Sequence, residues 1–279
     1  MEFSPRSVAK ALCPPLMWDA ARKLFATSMP VEAELARLRK LPRYTKTTAR
    51  LLDREFQVPD AQSFAGIYET YFRREEYRFP VEGESPLIID GGANVGVSVH
   101  YWKHLCPRAR VLAFEPDPQS FAALKANCSN LSGVSLRQTA LWTHGGPMCF
   151  TAVGADGGHL AELVVRKDSP RQMEVQAVRL RDLLIEPVEL LKLDIEGAEI
   201  DVLLDCADRL SFVKWLFVEY HSFLNKPQRL GKVFDAIEQV GFRVYCRKEL
   251  AAQQPFLSRP VYNGKDFHLN IFGFRTDGP

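Results

Sequence analysis

The 279-residue sequence lacks the patterns that mark zinc-binding, disulfide-rich and membrane-spanning proteins. Its six cysteines lie far apart, with no C-x-x-C pair and no histidine at zinc-finger spacing, so we interpret them as buried apolar residues in a reducing compartment. No apolar run reaches the about 20 residues that a bilayer-spanning helix needs. Prolines and charges interrupt the apolar stretch near the amino terminus, which disfavours a signal peptide. We therefore expect a cytoplasmic protein with no membrane span.

A large net charge is also missing. The chain has 36 Lys and Arg residues against 34 Asp and Glu, a formal charge of +2. A polyanion is not attracted by such a balance, so we do not expect a nucleic-acid partner. The charge is uneven, however: residues 1–60 carry 11 basic and 7 acidic side chains (+4), which leaves 25 and 27 (−2) for the remainder. This division predicts different roles for the two parts.

The first part of the chain has a helical pattern. Apolar residues recur at three- and four-residue spacing over Trp18 to Ala26, Val31 to Leu41 and Thr45 to Phe56, and an aromatic-rich amphipathic stretch covers Ala61 to Tyr77. We predict a helical N-terminal extension over residues 1–75, which serves as a lid or as the contact of a homo-oligomer.

The remainder, residues 76–279, has a different texture. Short apolar runs alternate with amphipathic segments, which is typical of an α/β fold with a parallel sheet covered on both faces. The last two runs, Phe242 to Cys246 and Leu269 to Phe274, are joined by a proline-bearing connection without helical periodicity. We therefore expect an antiparallel end to the sheet.

The segment Leu87 to Gly96 reads LIIDGGANVG: a buried strand, a glycine-rich turn and the start of a helix. Such a turn lets the backbone approach a nucleotide-like ligand at the switch point of the sheet. The pattern differs from the dinucleotide fingerprint, because Ala93 replaces a glycine and Asp90 enters the turn. A carboxylate there would repel a pyrophosphate but suit a cationic or amino-bearing ligand. A plain tight turn with Asp90 as a helix cap is the alternative.

Glu115 strengthens the case for a ligand. It ends the second apolar run about 20 residues after the glycine turn, where an acidic residue accepts hydrogen bonds from ribose hydroxyls. Prolines follow it and turn the chain into the next helix. The glycine turn and Glu115 together predict an adenosine site.

These segments carry a family resemblance. The string IIDGGANVGVSVHYWKHLCPRARVLAFEPDPQSFAALKAN, followed by LLKLDIEGAEIDVLL and VEYHSF, resembles the FkbM family of S-adenosylmethionine-dependent methyltransferases. The resemblance covers roughly Phe79 to Phe274 and implies a Rossmann-like, seven-stranded class I methyltransferase sheet with S-adenosyl-L-methionine as cofactor. The residues that it implies around the methionyl, ribose and adenine parts are Asp90, Gly91, Gly92, Asn94 and Gly96 in the glycine turn, Glu115, Pro116 and Asp117 after the second strand, and Ala140 with Leu141.

Charged residues interrupt the fourth predicted strand, which reads LLKLDIEG. With a period of two, Lys192, Asp194 and Glu196 share one face. A buried Lys192–Asp194 ion pair, with Glu196 and Glu199 at the start of the following helix, would explain the charges structurally. Because ligands bind at strand ends in open α/β sheets, we favour a catalytic role for this face.

The fifth predicted strand repeats the pattern. Glu219 and His221 share a face at its end, beside the fourth strand, and are candidates for an orienting acid and a general base. His221 could instead have a structural role. A divalent-metal site formed by Asp194, Glu219 and His221, with or without Glu196, is a further hypothesis, which we rank below metal-free base catalysis.

The predicted activity is O-methylation by in-line displacement, because an alcohol needs a base and this face offers bases. The family resemblance supplies the acceptor class: a hydroxyl of a sugar, glycan precursor or secondary metabolite. A nicotinamide-dependent oxidoreductase is disfavoured by Asp90 and by the lack of a Y-x-x-x-K pair. Two further hypotheses are a non-enzymatic binding module and an RNA methyltransferase that uses residues 1–60.

Overall fold

The structure, a computed structural model, describes residues 31–152, 159–160, 172–250, 252–262 and 264–275. The chain divides into two compact units, Met1–Pro80 and Val81–Pro279. In the part that is described, no helix has the length and apolar character needed to cross a bilayer. The role of the first unit as a lid or oligomer contact stays a prediction.

The first unit contains a β-hairpin that the sequence analysis did not predict. Its elements are α1 (Val31–Arg39), β1 (Thr47–Leu51), β2 (Arg54–Val58) and α2 (Ala61–Tyr68), which continues into a π-helical turn (Glu69–Arg73).

The helix predicted over Thr45 to Phe56 is wrong, because β1 and β2 pair antiparallel there. Leu52 and Asp53, between the strands, both have positive φ (55° and 54°), as in the two-residue turns that suit twisted hairpins. Burial alternates along each strand, so the apolar residues follow a period of two. The helix predicted over Trp18 to Ala26 lies outside the described residues.

The second unit follows the predicted alternation of strands and helices. In chain order its elements are β3 (Leu87–Gly91), α3 (Val97–Leu105), β4 (Arg110–Phe114), α4 (Pro118–Cys128), β5 (Val134–Arg137), β6 (Ala140–Trp142), β7 (Gly146–Thr151), β8 (His159–Leu160), β9 (Gln172–Arg179), β10 (Val188–Leu193), α5 (Glu199–Asp205), β11 (Val213–Phe223), α6 (Leu230–Gln239), β12 (Arg243–Leu250) and β13 (Lys265–Phe274).

The central sheet has seven strands in the order β12-β13-β11-β10-β3-β4-β5. The strands from β11 to β5 pair in parallel, whereas β13 is antiparallel to both of its neighbours. This arrangement confirms the predicted class I methyltransferase sheet and its antiparallel end. The strand order reverses between β3 and β10, which is where open α/β sheets form a binding crevice.

A second sheet of four strands, β6-β9-β7-β8, is formed by the chain between β5 and β10. It shares one apolar core with the central sheet: Leu141 of β6 and Phe150 of β7 belong to the same cluster of buried residues as Leu191 and Leu193 of β10. This core anchors the strands whose ends carry the polar residues of interest.

The sheet brings those polar residues to one edge. Parallel strands β3, β4, β10 and β11 end on the same side, and the antiparallel β13 begins there. Lys192 lies opposite Asp90 in the pairing of β10 with β3, and His221 lies opposite His268 in the pairing of β11 with β13. The candidate site is therefore assembled from five strands.

Candidate active site

The glycine turn after β3 is held against both neighbouring strands. The N–H groups of Gly92 and Ala93 donate to the carbonyl oxygen of Phe114 in β4, at 3.1 and 2.9 Å. Gly92 has φ of +80°, and a Cβ atom placed on it would lie 1.8 Å from the backbone oxygen of Asp194. Only glycine fits a position with that conformation and that contact. Gly96, with φ of +90°, lies immediately before α3.

Glu115 is buried beside this turn. Its Oε2 accepts a hydrogen bond from the N–H of Asn94 (3.0 Å), and its Oε1 accepts one from the N–H of Asp117 (2.9 Å). Burial, opposed in part by these hydrogen bonds, raises the pKa of Glu115 to about 8. Each side-chain oxygen has a second hydrogen-bonding position, so Glu115 can still accept from a diol such as that of ribose and, when protonated, can also donate to it.

The neighbouring residues have structural partners of their own. The Asp117 side chain caps α4 by accepting hydrogen bonds from the first N–H groups of that helix. Pro116 connects Glu115 to this cap. Leu141 is buried against the glycine turn, since its Cδ1 lies 2.8 Å from where a Cβ on Gly91 would be, and Ala140 precedes it in β6.

Asp90 and Lys192 are buried beneath the turn. Lys192 Nζ lies 3.4 Å from Asp90 Oδ1 and 3.3 Å from Asp194 Oδ2. It also donates to the carbonyl oxygens of Gly91 (3.2 Å) and Gly92 (3.0 Å). The Lys192–Asp194 ion pair considered from the sequence is therefore present, and it extends to the glycine turn. Lys192 fixes the position of that turn relative to β10.

Asp194 is the most accessible acid at the end of β10, with 27% of its side chain exposed. Even so, the surrounding protein displaces enough water to raise the pKa of Asp194 to about 7, and the carboxylate of Glu219 adds to this effect. Lys192 opposes the shift. Asp194 is therefore a carboxyl group that changes protonation state near neutral pH and is open to a ligand.

His221 is fully buried and its ring has a fixed orientation. Its Nδ1 lies 2.9 Å from Oε1 of Glu199, which also accepts hydrogen bonds from the N–H groups of Ile195 and Gly197 (both 3.0 Å). Because a carboxylate with these donors acts as an acceptor, we assign the Nδ1 proton to His221. Its Nε2 then points toward Oε1 of Glu219, at 3.6 Å.

Electrostatics around His221 favour a positive charge. Burial lowers the pKa of His221, but the carboxylates of Glu196 and Glu199 outweigh burial, so the pKa lies well above its usual range. Burial likewise opposes ionisation of Glu219, yet the neighbouring imidazoles of His221 and His268 hold the pKa of Glu219 well below its usual range.

Two residues of β13 complete this side of the site. Lys265 forms an ion pair with Glu196, and His268 Nε2 is in direct contact with Oε1 of Glu219. The rings of His221 and His268 have centroids 4.6 Å apart. Neither β13 residue was predicted from the sequence, and Glu199 was predicted only at the start of the helix after β10, not as the partner of His221. The apolar alternation of β13 could identify its strand, but not which residues of β11 it would face.

The proposed metal ligands divide into two groups. Among the described residues, sets of potential ligand atoms within 4.8 Å of one another are Asp194 with Glu196 and His221, and Glu219 with His221 and His268. His221 belongs to both. The structure therefore brings Lys192, Asp194, Glu196, Glu219 and His221 to one edge of the sheet. Because β10 ends at Leu193, Asp194 and Glu196 lie in the loop after it and not on the strand face that the period of two predicted.

Comparison with known proteins gives a consistent family. A family model described as "Methyltransferase FkbM domain" matches residues 90–244. The chain is 31% identical over 172 residues to Methyltransferase sdnD of Sordaria araneosa, which covers 49% of this chain and 66% of the relative. It is 29% identical over 160 residues to the 2-O-methyltransferase NoeI of Sinorhizobium fredii, which covers 50% of this chain and 65% of the relative. The matches thus span just under two thirds of these relatives.

Among solved structures, the chain is similar to the crystal structure of Methyltransferase FkbM from Methylobacillus flagellatus KT. The TM-score is 0.47 and the sequence identity is 15%, with 77% of this chain and 54% of that chain covered.

Proposed function

Since the chain belongs to the FkbM family of methyltransferases, we propose that it transfers the methyl group of S-adenosyl-L-methionine to a hydroxyl oxygen of a sugar, glycan precursor or secondary metabolite. One observation carries this proposal. A glycine turn with a buried ribose-type acid and a cluster of acids with a histidine meet at the switch point of a single sheet. The first set suits the cofactor and the second suits an acceptor that must lose a proton.

The residues of the β3–β4 side would hold the cofactor. Glu115 keeps free acceptor positions for ribose hydroxyls, and the backbone of the glycine turn can approach a ligand because Gly92 has no side chain. S-adenosyl-L-methionine supplies a sulfonium methyl group that is already activated for displacement. The protein must therefore position the acceptor, exclude water and accept one proton.

Asp194 is our candidate for the general base. It is partly exposed, it lies at the end of the strand beside the glycine turn, and its pKa is close to neutral. It would take the hydroxyl proton of the acceptor as the oxygen gains the methyl carbon and the carbon–sulfur bond of the sulfonium breaks, which leaves a neutral thioether. His221 is less suited to that step because its neighbours favour the imidazolium, which has no lone pair to offer.

The polar groups around Asp194 suit a polyhydroxylated acceptor. Lys265 and His268 offer donors, and Glu196 and Glu219 offer acceptors, within one cluster. Hydroxyl groups both donate and accept, so such a mixed set can fix their orientation. The similarity to a 2-O-methyltransferase supports the same acceptor chemistry.

The test is a direct assay with purified protein. We expect calorimetry to show binding of S-adenosyl-L-methionine and no comparable binding of NAD(P)H. With donor labelled in the methyl group, label should pass to hydroxyl acceptors in a panel of uronic acids, oligosaccharides and hydroxylated polyketides, and the products should resist mild base as ethers do. Binding of NAD(P)H alone would favour the oxidoreductase. Label in RNA alone would favour the RNA methyltransferase, and binding of neither cofactor would favour a non-enzymatic module.

A further inference from the structure

The cluster between β11 and β13 has the chemistry of a metal site. We propose that Glu219, His221 and His268 bind a divalent transition-metal ion of the zinc, cobalt or manganese type. The inference concerns metal binding itself and does not depend on the methyl donor. It differs from the predicted set of Asp194, Glu219 and His221, because His268 takes the place of Asp194.

The distances suit such an ion. The three ligand atoms lie within 4.8 Å of one another, and His221 Nε2 is 3.6 Å from Oε1 of Glu219. His268 Nε2 is in direct contact with the same oxygen. Ligand atoms around a tetrahedral ion with bonds of about 2.0–2.1 Å are roughly 3.4 Å apart. Changes of at most roughly 1.4 Å in these separations would therefore admit the ion.

The backbone brings the ligands together without strain at the site. Glu219 and His221 are two residues apart on β11 and so point to the same face. His268 lies directly opposite His221 in the pairing of β11 with β13. Two adjacent strands of a rigid sheet thus present two imidazoles and one carboxylate to one point.

The orientation of His221 is an independent indication. Its side chain is 0% exposed, and its Nε2 makes no hydrogen bond within the described part of the chain although it points into the cluster. Its Nδ1 is held by Glu199, which is itself fixed by the two N–H groups of the loop before α5. A carboxylate that holds the far nitrogen of a histidine is the usual outer-shell partner of a metal-bound imidazole.

The net charge of the side chains around the proposed ligands also favours binding of a cation. With every side chain ionised and the imidazoles neutral, the five carboxylates and two ammonium groups sum to −3. These groups are Asp90, Asp194, Glu196, Glu199, Glu219, Lys192 and Lys265. One divalent ion bound by the two imidazoles and Glu219 brings the sum to −1.

On the proposed function, the ion would also act on the acceptor. It would lie beside Asp194, since the ligand atoms of Asp194 and Glu196 are within 4.8 Å of those of His221. A bound divalent ion lowers the pKa of a hydroxyl that coordinates it. This consequence depends on the proposed methyl transfer, whereas the binding of the ion does not.

The test is a titration of the full chain with cobalt, without donor or acceptor. Protein treated with a chelator and then dialysed should bind one Co²⁺ per chain, with visible absorption that zinc displaces. Glu219→Gln and His268→Ala should each weaken binding at least 100-fold. Glu199→Gln, which removes only the outer partner of His221, should weaken it about 10–100-fold.

A matched control is His144→Ala, because His144 is an exposed histidine between β6 and β7 that lies outside the cluster. It should leave cobalt affinity unchanged. Near-ultraviolet circular dichroism of each variant confirms that it is folded. The proposal would be overturned if the folded Glu219→Gln and His268→Ala variants bound cobalt as tightly as wild type does. The cluster would then be a set of paired charged side chains that is not a metal site. Cobalt binding without methyl transfer would instead contradict only the proposed function.

Discussion

The β3–β4 side of the site is held mainly by main-chain contacts, whereas the side formed by β10, β11 and β13 is held by charged side chains. On the first side, carbonyl and N–H groups connect the glycine turn to Phe114 and Glu115. On the second, Glu196 pairs with Lys265 and Glu219 with His268. Main-chain contacts fix a shape, and charged side chains can exchange protons or ions. On the proposed function, this difference suits the first side to positioning the ligand and the second side to proton transfer.

The largest expected effect is on the side of the charged residues. Asp194→Asn keeps the size of the side chain but cannot take a proton, so turnover should fall by about 10²–10⁴-fold. Cofactor affinity should stay within a few-fold, and steady-state kinetics with calorimetry measure both. Asp235→Asn, at an exposed position of α6, is the control and should change neither. Turnover near that of wild type in Asp194→Asn would remove Asp194 from the reaction.

A substitution in the glycine turn should affect binding instead. Gly92→Ala places a Cβ atom against the backbone oxygen of Asp194 in a residue with φ of +80°. The turn must shift, so we expect cofactor affinity to fall by roughly 100-fold or more, a cost of about 3 kcal/mol. Gly83→Ala is the matched control, because Gly83 has φ of +74° and no described atom within 4 Å of its Cβ position. If both variants lowered cofactor affinity equally, the loss would come from backbone strain at a positive φ and not from the contact of the new Cβ atom with Asp194.

A smaller loss is expected from the acid beside the turn. Glu115→Ala removes the acceptor assigned to the ribose and should weaken cofactor binding by on the order of 1–3 kcal/mol. Turnover at saturating cofactor should change little, which separates this side from Asp194. Glu238→Ala, at an exposed position of α6, serves as the control in the same calorimetric measurement. Unchanged affinity in Glu115→Ala would show that the ribose assignment is wrong.

The smallest effect is a dependence of stability on pH. The pKa of Glu115 is raised from 4.5 to about 8, so the folded protein keeps a proton that the unfolded chain loses. The contribution of the Glu115 side chain to the free energy of unfolding is complete below pH 4.5 and is lost as the pH rises toward 8. Glu115→Gln cannot ionise, so its free energy of unfolding relative to wild type should rise steadily between about pH 5 and pH 8. Urea denaturation at both pH values measures this, and a constant difference would contradict it.

The two sides also differ in how far the sequence predicts them. The glycine turn and Glu115 lie in one short segment, so local pattern identifies them together. His268 and Lys265 reach the site only through the antiparallel register of β13 against β11, which no local pattern specifies. Local pattern also failed at the β1–β2 hairpin, where apolar periodicity predicted a helix. Over so short a segment the apolar residues fit both the helical spacing of three to four and the strand spacing of two, and the pairing of the two strands determines which one forms.

Lys192 belongs to both sides at once. Its ammonium group contacts the carbonyl oxygens of Gly91 and Gly92 and the carboxylates of Asp90 and Asp194. A ligand at the glycine turn that moved this ammonium group would change its pairing with Asp194 and therefore the proton affinity of that carboxyl group. Thermodynamic reciprocity then requires that protonation of Asp194 alter the affinity of that ligand by the same factor. On the proposed function, one buried ammonium group would thus link the affinity for the methyl donor to the proton affinity of Asp194.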